Sequence, residues 1–411
     1  MTFEEKQAEY ARLIVKAGAA VRAGQRVYMS CPIESYEFGR MVVKEAYLAG
    51  AEAVVVKWQD DVVSRMTYDY APLSVFEQFP EWRALEMNTY AREDYAFIYL
   101  AGSDPEAFKG VDIAKMQAAQ KAAHEPLKEF RKAQSTMAIK WTVLAIPSRA
   151  WAAKVFPGMN VDTAMTRLWD AIFATVRIGD GDSYEKWMKH ADTLAEKCRI
   201  LNEWQLQSLH YENSLGTDFT VGLVENHRWE GGADIDKKNG GRFFANMPTE
   251  EVFTMPDNRK AEGTLVASMP LSYRGSLIEN FRFTFKDGEV VDFDAEKGKD
   301  NLKSLLESDP GSKRLGECAL VPFPSPVSEQ GILFYETLFD ENAACHFALG
   351  ACYETNLLGG AEMSEDELHA HGGNTSMNHV DFMVGTSDLK ITGRRKDGSE
   401  VVIFENGTWA I

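Results

Sequence analysis

The chain has 411 residues, 45% of them hydrophobic and 26% charged, with a formal net charge of −18. The length exceeds one ordinary core and predicts two domains, and the acidic balance argues against a nucleic-acid partner, whose phosphates the protein's field would repel. Five cysteines, odd in number and never arranged as C-x-x-C, make a disulfide framework or a thiolate zinc site a poor fit and point to a reducing cytoplasm. The opening stretch MTFEEKQAEYARLIVKAG lacks the apolar segment of a signal peptide, and no 18-residue apolar window predicts a membrane span.

The first half alternates helix and strand. Residues 3–18 read as an amphipathic helix, 25–31 as a buried strand, 35–51 as a helix ending near Gly50, and 52–58 as a β-branched strand. This is a βαβ unit, and the strand-like runs 94–102 and 140–147, separated by helical sequence over 104–134, repeat the pattern. An open α/β sheet domain follows. The turn after the first strand, MSCPIES, has no glycine, which argues against a dinucleotide site.

Residues 161–208 read as mostly helical. Strands then dominate: 217–224, 263–271 and 280–294, the last with Asp287-Gly288 between alternating apolar runs, a hairpin signal that Asp397-Gly398 repeats within 389–411. The predicted organisation is an N-terminal open α/β sheet domain, 1–205, and a C-terminal β-rich α+β catalytic domain, 206–411.

The coordinating residues concentrate in that second domain. FDENAACHFALGACYE (339–354) predicts a buried helix capped by Asp340, with Glu341 in its first turn and His346, Leu349, Gly350 and Tyr353 along one face. Cys345 and Cys352 then lie about 100° away around the helix and read as core filler. NHVDFMVG (378–385) predicts a strand carrying His379 and Asp381 on one face. Glu250 and Glu251 stand between a turn and a strand-like run, and Glu317 directly precedes the apolar run Cys318–Val321. Taken singly, each of these residues reads equally well as a satisfied core histidine, a capping glutamate or a strand end reaching water. Together, Glu251, Glu317, Glu341, His346, His379 and Asp381 form a thiolate-free set suited to Zn²⁺, Co²⁺ or Mn²⁺, and in part Mg²⁺. Four carboxylates with two imidazoles exceed one tetrahedral site and suit two ions roughly 3.5–4 Å apart.

The segments NMPTEEVFTMPD, GECALV, LFDENAACHFALG and NHVDFMVG, with TDFTVGL…HRWEGG and IFENGTWA, resemble the M29 metallo-aminopeptidases, the aminopeptidase T-like family, in the family's order and over nearly the whole chain. By position, the resemblance implies two divalent metals, cobalt or zinc. Their ligands would be Glu251 (the acid before Val-Phe-Thr, not Glu250), Glu317, Glu341, His346, His379 and Asp381. It assigns Tyr353 to oxyanion stabilisation or proton relay, and Glu317 to bridging the metals or handling a proton. It further implies removal of N-terminal residues from peptides with a free N-terminus, broad side-chain preference and a homodimer. Two rival functions fit the same ligands: a dinuclear-metal amidase acting on small non-peptide amides, and a non-enzymatic small-molecule-binding protein with a structural metal. The additional histidines of HAHGG, 369–373, read as a surface loop.

Overall fold

In the computed structural model, which describes residues 1–179, 181–273 and 275–411, the chain divides into two compact units. One comprises Met1–Met188 with Ala233–Pro248, the other Lys189–Gly232 with Thr249–Ile411.

The first unit holds a five-stranded parallel sheet in the spatial order Ala53–Gln59, Arg26–Pro32, Ala96–Ala101, Trp141–Ala145, Asn246–Met247. The first four strands fall where β-branched and aromatic runs predict them. Helices Phe3–Leu13, Tyr36–Leu48, Ile113–His124 and Lys128–Ser135 match the intervening periodic segments. The first begins with a capping box in which Thr2 and Glu5 satisfy each other's backbone N–H. The fifth strand comes from far along the chain.

The division differs from a cut near residue 205 in two ways, both with a packing origin. Helix Ser183–Trp204 is one continuous element. Near its start, Trp187 lies against Phe244 of the first unit, ring centroids 5.0 Å apart. Further along, Leu194, Cys198 and Leu201 enter the main core of the second. Segment 233–248 then returns to complete the parallel sheet, so the N-terminal unit is discontinuous in sequence.

The second unit contains two antiparallel sheets. The larger runs Leu271–Tyr273, Ser276–Lys286, Pro256–Val266, Asp218–Leu223, Ser208–Glu212, Lys390–Arg394, Glu400–Glu405, Thr408–Trp409, with Glu289–Lys297 paired to Ser276–Lys286 across the Asp287-Gly288 turn. The smaller has four strands in the order Val252–Thr254, Leu315–Leu320, His346–Gly350, His379–Met383.

An aromatic layer joins the two. The Phe347 ring stands 5.0 Å from Tyr211 and 5.4 Å from Phe219, both on the larger sheet, and Phe382 stands 5.1 Å from Phe283. All of these rings are buried, so they supply much of the apolar area that holds the small sheet in place. Truncation of Phe347 to alanine should cost about 3–5 kcal/mol, read as a fall of roughly 10 °C in the unfolding temperature of this unit by calorimetry. A shift under roughly 2 °C would mean that the layer does not hold the sheet.

The helix expected over 339–354 does not form. A single turn Thr337–Asp340 and a tight turn Glu341–Ala343 are followed by the strand His346–Gly350. Asp340 caps no helix; its carboxylate instead accepts from the Phe334 and Glu336 backbone N–H groups. Alanine-rich sequence favours helix locally, but here strands pair with the segment on both sides and satisfy its backbone.

Candidate metal centre

The four-stranded sheet sorts its side chains by alternation. Across the sheet Glu317 stands opposite Ala348, and Ala348 opposite Asp381; His346 pairs with Ala319, and Gly350 with His379. His346, Ala348 and Gly350 therefore share the face that carries Glu317, His379 and Asp381. Glu251 precedes Val252 by one residue and falls on that face as well, since Val252 joins the core on the other. The opposite face carries Cys318, Leu320, Phe347, Leu349 and Phe382 into the main core.

One irregularity makes this sorting work. The register between Leu315 and Glu317 slips by one residue at Gly316. The bulge lets Leu315 point into the core and Glu317 to the opposite face. A Cβ at Gly316 would sit 2.2 Å from the Ala351 carbonyl oxygen, so only glycine fits.

Among the described residues, two sets of three donors lie with all ligand atoms within 4.8 Å of one another: Glu251, Glu317 and His346, and Glu317, His379 and Asp381. Glu317 belongs to both. Its Oε1 is 3.8 Å from His346 Nε2 and its Oε2 is 3.1 Å from His379 Nε2. Glu251 Oε2 lies 3.1 Å from His346 Nε2, and Asp381 Oδ1 3.3 Å from His379 Nε2. Glu341 joins neither set at that spacing. Burial pushes its carboxyl well above the ordinary value, and the charges of Asp381, Glu251 and Glu317 push it further.

Both imidazoles are oriented through their second nitrogen. His346 Nδ1 lies 3.1 Å from the Ala344 carbonyl oxygen and His379 Nδ1 2.7 Å from that of Ala351. A carbonyl can only accept, so Nδ1 carries the proton and Nε2 faces the carboxylates, the arrangement that orients histidine ligands. Burial alone would lower the His346 pKa, but Glu251, Glu317 and Asp381 outweigh it and carry it to about 9. His379 is driven well up by Asp381 and Glu317, also against burial. Glu317 is raised by burial first, with His379 opposing and Glu251 adding to the rise. For Asp381 the imidazole charge overcomes burial and lowers the carboxyl.

The donor set fits divalent cations. Four carboxylates and two imidazoles converge, and among the described residues no lysine or arginine forms an ion pair with Glu251, Glu317, Glu341 or Asp381. Buried negative charge on this scale calls for positive charge from outside the chain, and hard oxygen donors with neutral imidazole suit first-row divalent ions.

Tyr353 follows the central strand. Its ring lies 4.8 Å from that of His379 and 5.8 Å from that of Phe253, and it is 48% exposed. The environment pushes the phenol well above its ordinary value, by burial first and then by the charges of Glu317 and Asp381, so its hydroxyl is a donor at neutral pH.

The sequence pattern places His379 and Asp381 correctly on one strand face. It places His346 and Tyr353 together on the face of a helix that does not form; the strand carries His346, and Tyr353 beyond its end stands beside His379. All five cysteines are free; Cys318 and Cys345 are core residues because the sheet's alternation turns them away from the donors. In HAHGG, His371 is exposed and His369 bonds Thr375 Oγ1 at 2.8 Å, apart from the cluster. Of the adjacent glutamates, Glu251 meets His346 while Glu250 lies 3.4 Å from His190 Nε2. His190 is a neighbour that no local pattern announces.

The family model for thermophilic metalloproteases (M29) matches residues 3–409. The chain is 44% identical to aminopeptidase AmpS of Bacillus subtilis (strain 168), over 100% of this chain and 99% of that protein. It is equally similar, at 44% and with the same coverage, to aminopeptidase PepS of Streptococcus thermophilus. The solved structure of wild-type AmpT from Thermus thermophilus superposes over 100% of both chains with a TM-score of 0.92 at 36% identity. No helix among the described residues is long and apolar enough to cross a membrane.

Proposed function

The chain belongs to the thermophilic metalloprotease family M29 and is a peptide-bond hydrolase, and from that premise we propose that it is an aminopeptidase working through a dinuclear metal centre. The observation that carries this reading is the double membership of Glu317, one oxygen toward each imidazole.

Glu251 and His346 would hold one ion and His379 and Asp381 the other. Glu317 would bridge them, and Glu341 would complete the set. Zn²⁺ or Co²⁺ suits these donors, with Mn²⁺ or Mg²⁺ as alternatives. When bound, such ions polarise a carbonyl and make water a better nucleophile at neutral pH.

The rest falls to the protein. The two Nδ1 bonds hold the imidazoles in the required tautomer. The Tyr353 hydroxyl donates to the oxygen that gains charge as the scissile carbonyl becomes tetrahedral. Phe253 and Tyr353 form an aromatic wall against which an N-terminal side chain packs. Among the described residues no lysine or arginine pairs into the cluster to receive a substrate's C-terminal carboxylate, which supports action at the amino end. His379 and Tyr353 are partly exposed, and that access supports catalysis over a closed structural site. Broad side-chain preference, a homodimer and a reducing cytoplasmic setting complete the proposal; the five free cysteines support the last.

Metal quantitation, followed by chelation and readdition during hydrolysis of an aminoacyl anilide and its N-acetylated form, tests this reading. Two ions per chain, activity lost and restored with them, and refusal of the blocked substrate are expected. Equal hydrolysis of the blocked anilide would favour a general amidase, and unfolding on chelation without any turnover would favour a structural metal.

A further inference from the structure

The loop that delivers Glu251 has little regular structure of its own. It leaves the strand Asn246–Met247 and reaches Val252–Thr254 through residues 248–251. Two side chains from distant parts of the sequence hold it. The Asn342 side-chain oxygen accepts from the Glu250 backbone N–H at 2.7 Å, while its amide donates to the Leu338 carbonyl at 2.9 Å. His190, from helix Ser183–Trp204, lies with Nε2 2.8 Å from the Thr249 carbonyl oxygen, which makes that nitrogen a donor. Asn342 is fully buried, and its own carbonyl accepts from the buried Ser325 hydroxyl at 2.9 Å.

The position of Asn342 matters more than the number of its bonds. It follows Glu341 directly, in the turn Glu341–Ala343. One amide thus ties the backbone beside Glu251 to the turn that carries Glu341. Those two carboxylates repel each other and Glu317. Within the cluster, His346 Nε2, 3.1 Å from Glu251 Oε2, draws this carboxylate inward; an untied loop would leave Glu251 to that contact against the repulsion of the other carboxylates.

We propose that Asn342, with His190, forms a clamp of positioning residues that holds Glu251 within reach of Glu341, Glu317 and His346 before any cation binds, so that the site is preset and not assembled by the metal. The proposal rests on the metal-centre reading above. It assigns the two residues to metal affinity, since bound ions would themselves restrain the carboxylates once loaded.

The experiment titrates Co²⁺ into metal-free protein, following the visible absorption of the bound ion and a competing chelator, for wild type, Asn342→Leu and His190→Phe. Folding of each metal-free variant is checked by circular dichroism and thermal unfolding. Asn342→Leu is expected to bind Co²⁺ about 10–100-fold more weakly, the range for outer partners of metal ligands, with an altered absorption spectrum at partial loading. His190→Phe should shift in the same direction by a smaller factor. At saturating Co²⁺ both should recover turnover to within about tenfold of wild type, because loss of preorganisation is made good by excess metal. Affinities within twofold of wild type in a folded Asn342→Leu would overturn the clamp. If that variant fails to fold, wild-type affinity in His190→Phe overturns it equally. A wild-type protein that binds no Co²⁺ would instead remove the metal-centre reading, and the clamp with it.

Discussion

Glu317→Gln is expected to lower kcat/KM on the order of 10³-fold or more, well past the about 10–100-fold typical of an outer partner. Glutamine has the same shape, so the buried strand Leu315–Leu320 keeps its pairing and the bulge at Gly316 is untouched. The chemistry of the two ends changes. In the native side chain both oxygens carry lone pairs, Oε2 3.1 Å from His379 Nε2 and Oε1 3.8 Å from His346 Nε2. An amide presents one oxygen and one NH₂ group, and the NH₂ cannot ligate a cation. Whichever way it turns, one half of the centre loses its shared donor. Bound metal should fall from two ions to one or fewer. The metal-free variant should be at least as thermally stable as metal-free wild type, because one of four crowded carboxylates has been neutralised. Activity and thermal unfolding, measured on the same preparations, separate this from damage to the fold. Turnover near the wild-type level would take Glu317 out of the mechanism.

Tyr353→Phe should be nearly as damaging to turnover while leaving the metal alone. The substitution keeps the ring against His379 and Phe253 and removes only the hydroxyl. If that hydroxyl donates to the developing oxyanion, kcat should fall about 10²–10³-fold, the range for loss of one such donor, with KM and metal stoichiometry close to wild type. A rise in KM alone would make Tyr353 part of substrate binding and leave the oxyanion to another group.

Much of this was legible in the sequence, for identifiable reasons. The Asp287-Gly288 turn and its alternating flanks announce a hairpin, and His379 and Asp381 declare a shared strand face by their spacing of two. The apolar runs of the parallel sheet are long enough to read as buried strands. Residues 339–354 mislead because a short alanine-rich run fits either period, and the pairing that decides between them comes from residues 315–320 and 379–383. The two-residue strand Asn246–Met247 is too short to carry a pattern. Gly316 did offer a signal, a lone glycine within a strand-like run, which commonly marks a bulge. His190 and Asn342 offered none: each acts on a backbone group far along the chain, and such bonds leave no trace in local composition.

The return of residues 233–248 to the first unit sets an order of events on the ribosome. The parallel sheet lacks its last member until Met247 has left the exit tunnel, long after Lys189–Gly232 has emerged as an unfinished piece of the second unit. All six candidate ligands are translated later still, with Asp381 the last. The nascent chain therefore carries an open sheet edge from Ala145 until Asn246–Met247 is made, and the candidate ligand set is not complete until Asp381 has been translated.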